Sequence, residues 1–210
     1  MSKKETSGQP AQPAGPKLSK REQLRVQRRR RSMAWNMSLL GGGAAVLALI
    51  VWYFLSIARP GALPGEQALQ DHGGGHVEPS VTLTYQHYPP SSGQHYAATA
   101  QWGVYTDATQ PIPEGNFVHN LEHGGVVFLY HCAEPCPDLE QQFADLWEEA
   151  PPSKYGNKKI IVTPYDPAKL GGAPIVALAW GHQLNLPAFD KATMLLWYRR
   201  FLGYGPEDVP

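Results

Sequence analysis

Five of the eight histidines fall between His87 and His131, and the tightest group among them is His119-Asn120-Leu121-Glu122-His123. On a helical turn, residues three and four apart share a face, so two imidazoles and a carboxylate can reach one ion. The string also satisfies the H-x-x-E-H pattern of inverted zinc peptidases, in which the glutamate activates a zinc-bound water. Against that reaction, Gly124-Gly125 stops the helix directly after the second histidine, and no obvious helix follows to bring a third ligand. The plainer alternative is a pair of histidines packed and hydrogen-bonded at a loop-to-strand junction. A non-hydrolytic metal site, with His95 or His87 as a further ligand, is the third.

The two cysteines, Cys132 and Cys136, lie between an apolar run and a helix-like segment. In an oxidising space a disulfide is the default. It closes so small a loop that it restrains the unfolded chain only weakly, which leaves room for a redox or metal role. A thiolate at a helix N-terminus is stabilised by the helix dipole and made more reactive. Strand, cysteine pair, helix resembles the arrangement of thioredoxin-like folds, and Ala173-Pro174 stands where those folds place a cis-proline. The three-residue spacing is similar to that of copper-delivering thioredoxin-like proteins, whose two thiolates and one histidine hold copper. His131 or His123 could supply the imidazole here, and thiolate with imidazole suits Cu(I) or zinc. Two features depart from the pattern: only ten residues separate Thr163 from Pro174, and no clear strand follows Trp180.

Three motifs in order carry a wider resemblance: Tyr88-Pro89-Pro90-Ser91-Ser92-Gly93-Gln94-His95-Tyr96, then Trp102-Gly103-Val104-Tyr105, then Val118-His119-Asn120-Leu121-Glu122-His123-Gly124-Gly125-Val126-Val127. Together they resemble the bacterial domain-of-unknown-function family thirty-one-oh-five over about residues 80 to 200. The family usually has Asn-Pro-Pro where this chain has Tyr88-Pro89-Pro90, and Pro-His-Tyr where it has Gln94-His95-Tyr96. The resemblance implies that His95, His119, Glu122 and His123 belong to one motif, and that an N-terminal membrane helix tethers the domain. It implies no activity, and Cys132 and Cys136 lie outside the motif.

The elements that must position these residues read as follows. Val81 to Tyr85 alternates like a strand, and residues 86 to 117 read as a long loop. Its tyrosines and Trp102 could line a ligand groove or cover a small core. Val118 to His123 reads as one helical turn, and Val126 to His131 as a buried strand. Pro137 to Ala150 has helical spacing, with proline and acids at its start. Lys159 to Thr163 and Pro174 to Trp180 read as strands, and Pro187 to Leu202 as a second amphipathic helix. The expected fold is α+β, with thioredoxin-like α/β as the alternative. No glycine-rich phosphate loop or nucleophilic serine elbow is present in the sequence.

Formal neutrality hides two opposite parts. Residues 1–31 hold ten Lys or Arg and two Glu, and the remainder holds eight basic and sixteen acidic residues. Between them, Ser32 to Ala58 carries no charge, with its densest apolar run at Ala44 to Leu55 and aromatics near each end. About twenty helical residues span a bilayer core of ~30 Å, and Arg28 to Arg31 would stay on the cytoplasmic side. The expected organisation is a basic disordered tail over 1–31, a transmembrane helix over 32–58, a flexible tether over 59–80 and an extracytoplasmic domain over 81–210. The protein is then a single-pass inner-membrane protein whose partners are the lipid bilayer and an envelope protein, not nucleic acid. The leading functional expectation is copper or zinc binding by His95, His119 and His123, with Glu122 as the motif carboxylate and Cys132 and Cys136 as further ligands or a redox pair. A thiol–disulfide oxidoreductase and a non-catalytic interaction domain are the rivals.

Overall fold

The computed structural model describes residues 19–57 and 60–210. The chain divides into two units, with the boundary after Ala58.

The first unit is the helix α1, Lys20–Ile57. It opens on a reciprocal cap: the Glu22 amide donates to Ser19 Oγ, and the Ser19 amide donates to the Glu22 carboxylate. The helix runs unbroken through what reads as the end of the basic tail. Residues 1–18 of that expected tail, and the junction residues 58 and 59, lie outside the described residues. Among the described residues, no helix is long and apolar enough to cross a membrane.

The second unit is a mixed α/β domain around a six-stranded sheet. Its elements are β1 (Glu66–Ala68), β2 (His76–Val77), β3 (His95–Tyr96), β4 (Gly103–Val104), α2 (Glu114–Glu122), β5 (Val126–Tyr130), α3 (Pro137–Glu149), β6 (Ile160–Pro164), β7 (Ile175–Ala179), β8 (His182–Leu186) and α4 (Lys191–Phe201). The sheet order is β1-β8-β7-β5-β6-β4, and β2 pairs with β3 separately. The parallel pair β5 and β6 is joined by the crossover helix α3, as parallel strands require. β7 then runs antiparallel to β5, and β8 antiparallel to β7.

β5 to β7 are buried on both faces, which is why they read as unbroken apolar runs. Alternate residues feed two cores. Val126, Phe128 and Tyr130 pack with α3 and α4 through Phe143, Leu146 and Trp197. Val127 and Leu129 pack with α2 through Phe117, Val118 and Leu121. Helices therefore cover both faces, and β5 links the two cores to whatever sits at its ends.

Four expectations need correction. Val81 to Tyr85 alternates in burial but forms no strand, because no neighbouring strand pairs with it. A strand does follow Trp180: β8 turns out of β7 through Gly181, whose φ of +68° suits glycine. The last helix starts later than Pro187, where Asp190 accepts from the Thr193 amide as its N-cap. The cis peptide is Tyr88–Pro89, not Ala173–Pro174.

Residues 60–80 are not a free tether either. β1 extends the sheet by pairing with β8, and Glu66 is held by Arg200 and His182. The segment Gly73–Gly75 lies against the chain at residues 93–95, where Gly93 donates to the Gly73 carbonyl and His95 to the Gly75 carbonyl. Gly73 and Gly75 take positive φ, so these glycines serve backbone shape.

Candidate metal centre

Two local structures meet beside the sheet. β2 and β3 pair in parallel with His76 opposite His95, which sets their imidazoles side by side, ring centroids 5.0 Å apart. The last turn of α2 presents His119 and Glu122 to them. α2 ends where expected, because Gly124 adopts φ +72° and the next strand must begin. The helix begins earlier than expected, at Glu114, since residues 114–118 are drawn in by burial of Phe117 and Val118.

His76, His95, His119 and Glu122 each place one ligand atom so that all four lie within 4.8 Å of one another. His76 Nε2 and His119 Nε2 are 3.3 Å apart. His95 Nε2 and Glu122 Oε2 are 2.9 Å apart, and His76 Nε2 is 4.0 Å from that oxygen. For zinc bonds of about 2.0–2.1 Å, tetrahedral ligands sit roughly 3.3 Å apart. The group therefore has the dimensions of a set that could hold a metal ion.

The tautomers follow from the backbone. His95 Nδ1 lies 2.9 Å from the Gly93 carbonyl, and His119 Nδ1 lies 2.8 Å from the Tyr96 carbonyl. Carbonyl oxygens only accept, so both Nδ1 atoms carry the proton and donate. In the neutral rings, each Nε2 then offers a lone pair to the centre, the usual orientation of a metal-binding imidazole. His95 Nε2 is buried and, despite its closeness to Glu122, has no aligned hydrogen-bond partner. A lone pair facing a carboxylate at that distance is repulsive unless a proton on Nε2 or a metal cation lies between them.

Burial lowers the pKa of His119; the charges of His95 and His76 lower it further, while the Tyr96 carbonyl and Glu122 oppose them. Burial also lowers the pKa of His123, with His119 the next cause and Glu207 opposing. Both rings are thus held towards the neutral, ligating form. His95, His119 and Glu122 are buried, and His76 is the solvent-facing member.

Gly74 forms part of the wall. A Cβ there would lie 2.4 Å from Glu122 Oε1, closer than any real contact. Gly205 does similar service behind the centre, where a Cβ would meet the Glu122 carbonyl at 2.2 Å. The Glu207 amide donates to that carbonyl, and Lys159 Nζ donates to the carbonyls of His123 and Val209. The C-terminal residues therefore brace the end of α2.

The structure brings together His95, His119 and Glu122 and leaves the other expected ligands aside. His123 Nε2 lies 3.3 Å from Glu207 and groups with Glu122 and Glu207 rather than with the three-histidine set. His87 lies beside Ser91 and His72. Cys132 and Cys136 are at disulfide-bonding distance and sit past the opposite end of β5, about 13 Å of strand from where α2 hands over to it. Among the described residues, neither potential metal group contains a cysteine. His76 is the candidate ligand that sequence reasoning missed, because it stands among glycines that read as linker. Its local signal was limited to its place directly after Gly73-Gly74-Gly75.

These features define a mixed α/β domain that carries a histidine–carboxylate cluster and a separate cysteine pair. A family model described as a protein of unknown function (DUF3105) matches residues 76–209, and the chain belongs to that family. The match begins at His76, so it takes in all four members of the cluster. No curated protein and no solved structure matches the chain.

Proposed function

We propose that the domain binds one transition-metal ion through His76, His95, His119 and Glu122, with zinc the best fit, on the outer side of a membrane. The observation that carries this reading is the buried, unpartnered His95 Nε2 facing Glu122 at 2.9 Å, with two more imidazole nitrogens beside it. Three nitrogens and one oxygen suit zinc or Cu(II); Cu(I) prefers thiolates, which lie elsewhere in the domain. Three buried ligands keep the ion in place, and the solvent-facing His76 is the ligand that can yield to water or to an acceptor. The domain on this reading handles an exchangeable ion. The direct test loads the full chain with Zn(II), removes excess by desalting and measures retained metal. One ion per chain is expected, and a metal-free chain contradicts the proposal.

The anchor belongs to the same reading. Residues 32–58 are uncharged and follow four arginines, and the described part of α1 exposes Val46 through Leu55 almost without interruption. An exposed apolar stretch of helix such as residues 46–55 is at home in lipid. The positive-inside rule then puts the domain outside the cytoplasm, with the bilayer and an envelope protein that exchanges metal as its partners. Alkaline phosphatase fused after Pro210 should be active, and fluorescence of a cytosol-only reporter at that position would reverse the orientation.

We also read the order β8-β7-β5-β6, with α3 after β5 and α4 after β8, as thioredoxin-like. The support is a parallel β-α-β unit followed by an antiparallel hairpin and a helix, with the cysteine pair at the β5–α3 junction. A single 3-10 turn, Pro167–Lys169, stands where such folds carry a full intervening helix.

A further inference from the structure

The cysteine pair lies on the rim of a cleft of about 640 Å³ that has no connection to the metal centre. Both cysteines are half-buried, and they flank the exposed residues 133–135. The cleft walls include Tyr130, His131, Glu134, Glu140, Tyr165 and Asp166, and no lysine or arginine lines it. Three carboxylates around an apolar floor make a surface that attracts cationic polypeptide. Burial, then the charge of Glu140, pushes the Tyr130 phenol up to about 12, so its hydroxyl stays neutral in the wall. Cys136 occupies the N-cap of α3, and its sulfur makes no capping hydrogen bond while it is bonded to Cys132. Released as a thiolate, it becomes an acceptor for the unpaired amides of the first turn. Asp138 and Glu140 in that turn oppose this effect.

We propose that Cys132–Cys136 is a thiol–disulfide exchange site whose substrate is a dithiol polypeptide with positively charged flanks. A substrate thiolate attacks Cys132 Sγ, forming a mixed disulfide, and the Cys132–Cys136 bond breaks with Cys136 leaving as thiolate at the helix N-cap. The substrate's second thiolate then attacks its own sulfur in the mixed disulfide, and Cys132 leaves. The substrate is oxidised to a disulfide, and the cysteine pair takes up its two electrons and, at neutral pH, its two protons. The site is independent of the metal centre, since β5 separates them and each uses its own side chains.

The test uses the oxidised full chain under anaerobic conditions with two synthetic dithiol peptides, one lysine-flanked and one glutamate-flanked, and with glutathione. Alkylation and mass measurement count the reduced cysteines. The lysine-flanked peptide should react at least ~10-fold faster than the other at low ionic strength, with the advantage fading at about 1 M salt. Glu134→Gln combined with Glu140→Gln should remove the preference without removing exchange. Cys136→Ser should trap a mixed disulfide with oxidised peptide on Cys132. Prior treatment of the chain with a chelator should leave all of these rates unchanged, which separates this proposal from the metal reading. A pair that resists all three thiols is a structural disulfide, and a pair that reacts with both peptides equally has no charge selectivity; either result overturns the proposal.

Discussion

Replacing His119 by alanine should strip the metal from the domain while the sheet stays folded. On the proposed reading His119 gives one of four ligand atoms, and its ring takes its orientation from the Tyr96 carbonyl. Structural zinc sites bind with apparent free energies of about 10–16 kcal/mol, so one ligand of four is worth on the order of 3 kcal/mol, or ~100-fold in affinity. The ring is buried and its loss leaves the Tyr96 carbonyl without its partner, which costs about 1–3 kcal/mol in the metal-free protein. That cost falls on α2 and the β3 segment, which carry the ring and its acceptor. Competition with a chelating dye measures affinity, and circular dichroism measures fold. Wild-type affinity in the variant would remove His119 from the ligand set.

The second large effect comes from a residue that binds nothing. Gly74→Ala puts a methyl where Glu122 Oε1 now sits, at 2.4 Å from the new carbon. The obstructing atom is the end of a side chain, so the carboxylate can swing aside and the fold survives. Swinging aside takes its other oxygen off the line to His95. Displacing groups that orient a ligand typically costs about 10–100-fold in metal affinity. The expected signature is therefore a metal affinity lowered in that range with little change in the melting temperature of the metal-free chain. A parallel fall in both would mean that Gly74 matters for folding alone.

What could be read from the chain follows from how each signal arises. His119, Glu122 and His123 announce themselves because helical spacing of three and four is local. His95 was reached through the motif around it, since its partner strand is two residues long and has no periodicity to detect. His76 escaped because glycine-rich sequence means a linker when nothing packs on it and a site wall when something does; the difference is a tertiary contact, here with Glu122 and residues 93–95. β5, α3, β6 and β7 were legible because burial on both faces or on one stripe writes directly into the pattern. β8 was not, because His182, Gln183 and Asn185 break the apolar run in a strand whose place is secured by neighbours on both sides. The separation of cysteines from histidines was equally hidden: His123 and Cys132 are close in sequence, but an extended strand carries them apart.

The central claim is a three-nitrogen, one-oxygen metal centre built without sulfur. X-ray absorption at the zinc edge of the zinc-loaded full chain measures it most directly. The expected spectrum shows four light ligands at about 2.0–2.1 Å, three of them with the outer-shell scattering of imidazole. A zinc–sulfur distance near 2.3 Å, or a shell of oxygens with no imidazole signature, would contradict it.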